Sequence, residues 1–577
     1  MSFEHRPSPA RVSEAAAAEL PRWMFFSLLA IYIIPGLFAR DPWSLEDASA
    51  FGVMWTMAHG GAVEWWLPSV VGEPLPEEGP LPFWIGALMI RLFGAVFGDI
   101  VAARLVTVLW FLVATTSLWY ATYRLARRPE AQPVAFAFGG QANPRDYGRM
   151  LADIAVLLML ATIGIVLRMH ETVAETAIFA WVSVLLLALA VSLEDPWKGT
   201  LGAAVALAAI ALTRGLLPAG ALVIAAVIFV LSFGRQRALR ALLVIAISAL
   251  IFALWPIGAK NATPQAILYF DAWWAWNARQ LAGPNVTSVW WLVRNVGWYT
   301  WPVWPFALWT LYSWRSFWRR PHVLLPLLLV LAALAVLLVG ADPSDRELIV
   351  AVPALVVLGA FSVSTLRRAA DNAIDWFSLA LFSLALTAIW IYFGAWNFGV
   401  PPKMAASVAR LVPGLESAAP IVATIVAVAA TAAWIFLARW RVRVRPPMLW
   451  RGPFLAAGGL AAVWVVVVSI YGALFEYSRS YASTAAVLAE QVRRVGGDSC
   501  VQAHHLPVGV RAMLAYHGGL RFGPQFAAPI SCRVAIQRDS ERTASDDEPL
   551  TGGWKITYEF TRRARYDEVF RVWVRDR

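Results

Sequence analysis

Carboxylates gather in one stretch of the chain, residues 40–99, which holds eight acidic residues and only two basic ones. They include two adjacent pairs, Glu46-Asp47 and Glu77-Glu78. A positioned carboxylate can remove a proton as a general base, or it can bind a divalent cation. The same pairs could instead be solvated, or could cap a following helix. The spacing therefore indicates base or cation chemistry, with these simpler interpretations open.

Arginines and one further glutamate lie at the ends of apolar stretches: Arg168, Glu175, Arg214, Arg279 and Arg346. An ionisable group at the boundary of a membrane span is costly unless it is used, which makes Glu175 a candidate ligand for substrate or a cation. A planar guanidinium group can bind two oxygens of one phosphate through two parallel hydrogen bonds, so the four arginines are candidates for phosphate binding. Snorkelling to water, anchoring in an aromatic belt and local ion pairing are the competing interpretations.

The composition decides what kind of scaffold must position these groups. The chain has 577 residues, of which 59% are hydrophobic and 15% charged, and its mean hydropathy is +0.61. A soluble protein carries about a quarter charged residues, and a disordered chain is far less apolar. The long continuous apolar runs predict an all-α polytopic membrane protein rather than a β-barrel. The net charge of +11 is then explained by arginines in cytoplasmic loops, and no nucleic-acid partner is predicted.

Apolar stretches predict about thirteen transmembrane helices. They lie near residues 23–39, 100–123, 151–167, 173–193, 200–213, 216–233, 238–257, 297–314, 323–340, 347–366, 375–394, 418–438 and 453–475. The basic clusters fall in alternate loops, which places the N-terminus in the cytoplasm. The predicted organisation is a cytoplasmic tail at 1–22, a transmembrane domain at 23–479 whose first outer loop is 40–99, and a periplasmic domain at 480–577.

The C-terminal domain is predicted to be a small α/β unit. WKITYEF and EVFRVWV alternate as strands do, and STAAVLAEQVRRV has the pattern of a helix. Two segments of the first loop, AFGVMWTMA and PLPFWIGALMIRLFG, are predicted to be short helices on the membrane surface. Cys500 and Cys532 are the two cysteines of the chain. In an oxidising compartment they could pair, and two buried thiols are the alternative.

Five segments occur in a recognisable order along residues 20–365. They are RDPWSLEDASAF, GEPLPEEGPLPFW, Leu212-Thr213-Arg214-Gly215, WWAWNARQL with Arg279, and SDRELIVAVP with Arg346. Together they resemble motifs of the GT-C membrane glycosyltransferases, in the bacterial protein-mannosyltransferase-like branch that includes the lipid A aminoarabinose transferases.

The resemblance implies an inverting glycosyltransferase of the bacterial inner membrane. A sugar would pass from a polyprenyl-phosphate donor to an envelope glycan, glycolipid or protein at the periplasmic face. Register with the family assigns the base to Glu46, with Asp47 as the other candidate. The resemblance further implies donor-phosphate binding by Arg168, Arg214, Arg279 and Arg346, and substrate or cation binding by Glu77, Glu78 and Glu175.

Several family features differ in this chain. The usual Asp-Glu order is inverted at Glu46-Asp47, Glu78 replaces a phosphate-binding lysine, and Trp274 stands at the register of a metal-binding histidine. These departures predict a divergent member that holds at most a weakly bound Mg²⁺ or Mn²⁺ rather than zinc.

Three other functions stay open on the sequence. The chain could be a lipid or solute transporter without chemistry, a ligase or polymerase that uses a lipid-pyrophosphate glycan, or a non-catalytic scaffold. The sequence has no Walker A motif, which argues against a nucleotide-driven pump.

Overall fold

The computed structural model describes residues 8–341, 343–411, 414–415, 420–443, 448–497, 500–523, 532–540, 550, 553–562 and 568–575. Residues 1–7 of the predicted tail and the first two residues of the span predicted at 418–438 lie outside this set, as do parts of the predicted C-terminal domain.

The first half of the chain is a series of helices interrupted by one two-stranded hairpin. Its elements are α1 Arg22–Ile33, α2 Leu45–His59, α3 Ala62–Trp66, β1 Ser69–Val70, β2 Glu73–Pro74, α4 Leu81–Phe97, α5 Asp99–Ala126, α6 Pro144–Ala161, α7 Ala174–Val191, α8 Pro196–Arg214, α9 Leu216–Leu231, α10 Ala238–Ala262, α11 Ala266–Gln280 and α12 Val286–Tyr299. A short 3₁₀ turn, Arg168–His170, precedes α7.

The second half continues with helices and ends in a small sheet. Its elements are α13 Val303–Ser313, α14 Pro321–Val339, α15 Asp345–Leu348, α16 Val352–Val363, α17 Arg368–Phe398, α18 Pro402–Leu411, α19 Ile421–Arg443, α20 Arg451–Ile470, α21 Gly472–Arg479, α22 Ala482–Arg494, β3 Val501–His504, α23 Val508–Gly518, β4 Val534–Ser540, β5 Trp554–Thr561 and β6 Glu568–Arg575. In the bundle, α7 packs between α5 and α8. Most residues of α6 and almost every residue of α16 are buried.

Within the described residues, ten helices are long and apolar enough to cross a membrane, or eleven if the bent pair Pro144–Ala161 and Ile163–His170 counts as one span. Two of the thirteen predicted stretches fall short of that length. The stretch at 216–233 forms the 16-residue α9, which begins directly after Gly215. The stretch at 297–314 is interrupted before the 11-residue α13 by Pro302, which cannot donate a helical hydrogen bond.

The first loop contains α2 and α4, which correspond to the two helices predicted there. Helix α4 packs against α5 of the bundle, and α2 packs against α4. Ser44 begins α2, because its hydroxyl oxygen accepts a hydrogen bond from the backbone N–H of Asp47 at 3.0 Å. This cap puts Glu46 and Asp47 in the first turn of the helix.

The C-terminal residues form the predicted α/β unit. Its sheet has the order β3-β4-β6-β5, with β3 and β4 parallel and the other pairs antiparallel. The two predicted strands correspond to β5 and β6, and the predicted helix is α22, so these predictions are confirmed. Cys500 and Cys532 form a disulfide, with Cα atoms 5.4 Å apart.

The C-terminal unit packs directly on the helix that carries the acidic pair. Helix α23 lies against α2 so closely that a Cβ atom at Gly509 would come within 2.3 Å of the Leu45 carbonyl oxygen. Arg511 of α23 is fully buried and donates to Glu73 of the first loop at 3.0 Å. The first loop and the C-terminal unit therefore form one continuous structure around the N-terminal end of α2.

Candidate active site

A cavity of about 280 Å³ opens where α2, the loop before α4, the start of α7, α15 and the start of α23 meet. Its ionisable lining residues are Glu46, Glu77, Glu78, Glu175 and Arg346. The fold thus brings five of the nine predicted site residues to one place. We refer to this space as the acidic cavity.

Arg346 lies between two carboxylates of the acidic cavity. Its Nη2 atom is 3.2 Å from Oε1 of Glu46, and its Nε atom is 3.4 Å from Oε1 of Glu175. Glu175 is buried, with 2% of its side chain exposed, whereas Glu46 is 41% exposed. The accessible carboxylate of this arrangement is therefore Glu46.

Asp47 points the other way and does not line the acidic cavity. Its side chain has no exposed surface, and Oδ2 is 3.2 Å from Nη2 of Arg104 and 3.5 Å from Nη1 of Arg40. The backbone N–H and the hydroxyl of Thr172 both donate to Oδ1, at 2.8 and 2.6 Å. Burial raises the pKa of Asp47, but the two guanidinium groups and Thr172 outweigh burial and hold that pKa below its usual range. Neighbours in a helix point about 100° apart, which explains why Glu46 faces the acidic cavity and Asp47 faces Arg104 and Arg40.

Arg214 is held by two glutamates at the edge of the acidic cavity. It donates to Glu78 at 2.7 Å and to Glu347 of α15 at 3.0 Å. Burial raises the pKa of Glu78 above its usual range, although the charge of Arg214 opposes this rise. Glu77, the residue before Glu78, is exposed. The cavity therefore holds one carboxylate that is paired with Arg214, Glu78, and one that is open to solvent, Glu77.

Arg168 closes the opposite side of α2. Its guanidinium group contacts Glu171 and Asp345, both at 3.1 Å. Glu171 also accepts a hydrogen bond from the Ser44 hydroxyl at 2.8 Å. Burial raises the pKa of Glu171 to about 7, with the nearby charge of Asp47 adding to the rise and Arg168 opposing it. Arg168 therefore supports the helix that carries Glu46 rather than lining the cavity.

Arg279 and Trp274 lie on α11, outside the acidic cavity. Both side chains are exposed, and Arg279 makes no ion pair with any residue that the structure describes. The described part of the chain also has no group of three or more His, Cys, Asp or Glu side chains placed to hold a metal ion. The cavity carboxylates instead face arginines, so a cation would have to compete with Arg346 for Glu46.

Two parts of the site were not predicted from the sequence. They are the groups that hold Asp47 and the side of the acidic cavity that the C-terminal unit forms. Arg104 lies inside the apolar helix α5 and is almost completely buried, at 1% exposure. A charge in an apolar span is itself a signal of a buried partner, and it could have pointed to this site. No such signal marks Pro507, Val508 and Gly509, which line the acidic cavity through backbone and apolar groups.

A larger cavity, about 400 Å³, lies between α13, α17 and α20. Its lining residues are almost all apolar, and none of them is ionisable. It therefore offers no side chain for acid–base chemistry or for binding a phosphate.

No protein-family model and no curated protein matches the chain. Solved structures do match it. ArnT from Cupriavidus metallidurans bound to undecaprenyl phosphate is 15% identical, with a TM-score of 0.66 over 96% of this chain and 97% of that one. The apo state of the same protein gives the same values. The archaeal oligosaccharyltransferase AglB from Archaeoglobus fulgidus aligns with a TM-score of 0.44 at 11% identity, over 89% of this chain and 69% of that one. The alignment with ArnT shows that the chain shares the fold of that protein, the GT-C fold, as its sequence motifs predict.

Proposed function

We propose that the protein is an inverting membrane glycosyltransferase that uses a polyprenyl-phosphate sugar as donor. The observation that carries the proposal is the acidic cavity, in which an accessible carboxylate, Glu46, lies 3.2 Å from the only arginine that lines the cavity among the described residues, Arg346. A base beside a phosphate ligand is what displacement at an anomeric carbon requires. The GT-C fold, shared with a protein whose structure holds undecaprenyl phosphate, supports the same reading.

Glu46 is assigned the role of general base. In the proposed reaction the acceptor hydroxyl gives its proton to the Glu46 carboxylate, and its oxygen bonds to the anomeric carbon. The bond from that carbon to the phosphate oxygen breaks, and polyprenyl phosphate leaves with the electron pair. Attack from the face opposite the leaving group inverts the anomeric centre.

Arg346 is assigned to the leaving group. A guanidinium group binds a phosphate oxygen pair and stabilises the charge that develops on it. When donor phosphate engages Arg346, the guanidinium group is shared between the phosphate and Glu46, and a Glu46 oxygen is freed to accept a hydrogen bond from the acceptor hydroxyl. Glu175 keeps Arg346 in place from its buried side, so one side chain contacts both the base and the leaving group.

The remaining predicted residues receive supporting roles in the proposal. Glu77 and Glu78 border the place where sugar or acceptor hydroxyls would bind, and Arg214 fixes Glu78. Arg279 stays a prediction as a donor-phosphate ligand, since its exposed position on α11 lies outside the cavity. A weakly held Mg²⁺ or Mn²⁺ is also still a prediction, and no step of the reaction is assigned to it.

The cellular setting completes the proposal. We place the cavity and the C-terminal unit on the periplasmic side of a bacterial inner membrane, with the N-terminus in the cytoplasm. The acceptor would be an envelope glycan, a glycolipid or a protein.

The decisive experiment measures donor turnover by purified protein in nanodiscs. A panel of undecaprenyl-phosphate monosaccharides is supplied with an envelope extract as acceptor, and released undecaprenyl phosphate is measured by mass spectrometry. Glu46→Gln should lower turnover by about 10²–10⁴-fold while donor binding is kept, because a general base contributes about that factor. Glu490→Gln, an exposed change on α22, is the matched control.

Two results would refute the assignment. Normal turnover by Glu46→Gln would remove the base from Glu46 and make Glu175 the next candidate. Binding of undecaprenyl phosphate with no turnover of any donor would instead favour a transporter or a scaffold.

A further inference from the structure

A second cavity adjoins the acidic cavity on the far side of Glu46. It measures about 230 Å³ and lies between the N-terminal end of α2 and the C-terminal unit. Leu45 and Glu46 line both cavities. We call this space the distal cavity.

The distal cavity is rich in arginine. Arg479, Arg538 and Arg562 line it, against Glu46 and Glu568 as the acidic residues. Glu46 already contacts Arg346 from the acidic cavity, so its charge is partly neutralised. The balance of charge in the distal cavity is therefore positive.

The three arginines of the distal cavity differ in how many of their hydrogen-bond donors have partners. Arg562 is 5% exposed and donates to Glu568 at 2.9 Å and to the carbonyl oxygens of Ser478 and Ser480. Arg538 donates to Glu568 at 2.8 Å through Nη2, whereas its buried Nε–H has no hydrogen-bond partner among the residues that the structure describes. A buried donor without an acceptor is costly, and it indicates a place where a bound group would supply one.

Arg479 offers a second set of free donors. Its side chain is exposed, it makes no ion pair within the described residues, and its one hydrogen bond reaches the Trp43 carbonyl oxygen at 3.4 Å. The N-terminal end of α2, where Ser44 caps the helix, also borders the cavity and has the positive end of the helix dipole. Free guanidinium donors beside a helix N-terminus are complementary to an oxyanion.

We propose that the distal cavity binds a phosphate or carboxylate group carried by the acceptor, so that the enzyme selects anionic acceptors. The inference rests on the proposed function, because it takes Glu46 as the base that meets the acceptor hydroxyl. An acceptor that spans both cavities would present its hydroxyl to Glu46 while its anionic group binds Arg479 and Arg538. The C-terminal unit would then be the part of the enzyme that recognises the acceptor.

Binding of small probes tests the inference without turnover. Glucose 6-phosphate, glucuronate and neutral glucose are titrated by calorimetry into the full-length protein in phosphatidylcholine nanodiscs. Charge-assisted hydrogen bonds predict that both anionic sugars bind at least about tenfold more tightly than glucose. A second arm adds phosphatidic acid to the nanodiscs. Competition with glucose 6-phosphate would assign the anion to a lipid headgroup, and absence of competition would assign it to a soluble or glycan acceptor.

Two variants separate ligand binding from folding. Arg479→Gln leaves the Glu568 network intact and should weaken glucose 6-phosphate binding about tenfold. Arg538→Lys keeps a positive charge beside Glu568 but lacks the free Nε–H, and it should also weaken binding. Arg494→Gln, an exposed arginine on α22, should bind like wild type.

Equal binding of glucose and its anionic analogues, or unchanged affinity in both pocket variants, would overturn the inference. In that case Arg538 and Arg562 serve only to neutralise Glu568, and Arg479 is an exposed surface residue. Since these titrations need no donor, a protein that turns over donor but shows no such selectivity refutes the distal site alone. A protein that binds anions through Arg479 but turns over no donor refutes the proposed function instead.

Discussion

Replacing Asp47 with asparagine tests whether this residue holds the site together or performs its chemistry. The change leaves Arg104, at 1% exposure, and Arg40, at 4%, beside a neutral amide. Breaking a buried ion pair by removing one partner costs about 3–5 kcal/mol, because the other charge stays buried without compensation. Asparagine keeps an oxygen that can accept from Thr172, so we expect a loss of about 3 kcal/mol, at the lower end of that range.

The assay compares stability with activity in the same preparation. The midpoint of thermal unfolding should fall clearly in Asp47→Asn, while turnover per folded molecule should fall much less than in Glu46→Gln. A double variant, Asp47→Asn/Arg104→Gln, removes a charge from each side of the pair. Its midpoint should lie above the value that the two single changes predict by simple addition, because the buried charge is no longer unbalanced.

An opposite result is easy to recognise. If Asp47→Asn unfolds at the wild-type midpoint, binds donor normally and is inactive, then Asp47 is the base and the separation of the pair described above is wrong.

Four further predictions follow from the site. Arg346→Gln should raise the KM for donor by about 10–100-fold, which is the cost of a lost charge-assisted hydrogen bond, and Arg346→Lys should restore the KM only in part. Equal KM values in wild type and Arg346→Gln would show that Arg346 does not bind the donor. The pKa of Glu171 is raised to about 7, so the folded protein favours its neutral form, and the free energy of unfolding should fall as pH rises from about 4.5 through 7. In Glu171→Gln the thermal midpoint should lose that part of its pH dependence. A pH profile identical to that of wild type would show that Glu171 is not the titrating group. Alkaline phosphatase fused after the last residue should be active and a fusion after Arg240 inactive, whereas the reverse pattern would place the cavity in the cytoplasm. Elemental analysis should find no stoichiometric zinc after EDTA dialysis, and zinc that survives dialysis would show that ligands beyond the acidic cavity exist.

Local features of the sequence were sufficient for the architecture. Membrane spans depend on the apolar content of about 20 consecutive residues, so most of the predicted stretches became helices of sufficient length. The alternation at 554–560 and 568–574 specified β5 and β6 in the same direct way. The two shortfalls, at 216–233 and 297–314, arose where Gly215 and Pro302 set helix boundaries inside apolar runs that hydropathy alone cannot divide.

The chemistry of the site divides between sequence and tertiary structure. The order of the motifs was enough to nominate Glu46, Glu77, Glu78 and Arg346, and the position of Glu175 at the boundary of a span nominated that residue. The fold gathers all five around one cavity. Register with the family favoured Glu46 as the base but left Asp47 as the other candidate, because both are acidic and adjacent. Their different surroundings depend on Arg104, a residue 57 positions away that only helix packing brings to Asp47.

The arginines show the same limit. In sequence, Arg168, Arg214 and Arg346 are alike, each a cation at the end of an apolar stretch. All three have carboxylate partners in the folded protein. Packing leaves Arg168 only 13% exposed beside Glu171 and Arg214 only 9% exposed beside Glu78. Arg346 lies between Glu46 and Glu175 and stays 30% exposed at the cavity. A charged residue declares its cost locally, but what compensates that cost is set by contacts between distant segments. The sequence of this protein therefore determined which charged residues needed a partner. Only the tertiary structure decided which of them are buried against a partner within the protein and which face the open cavity.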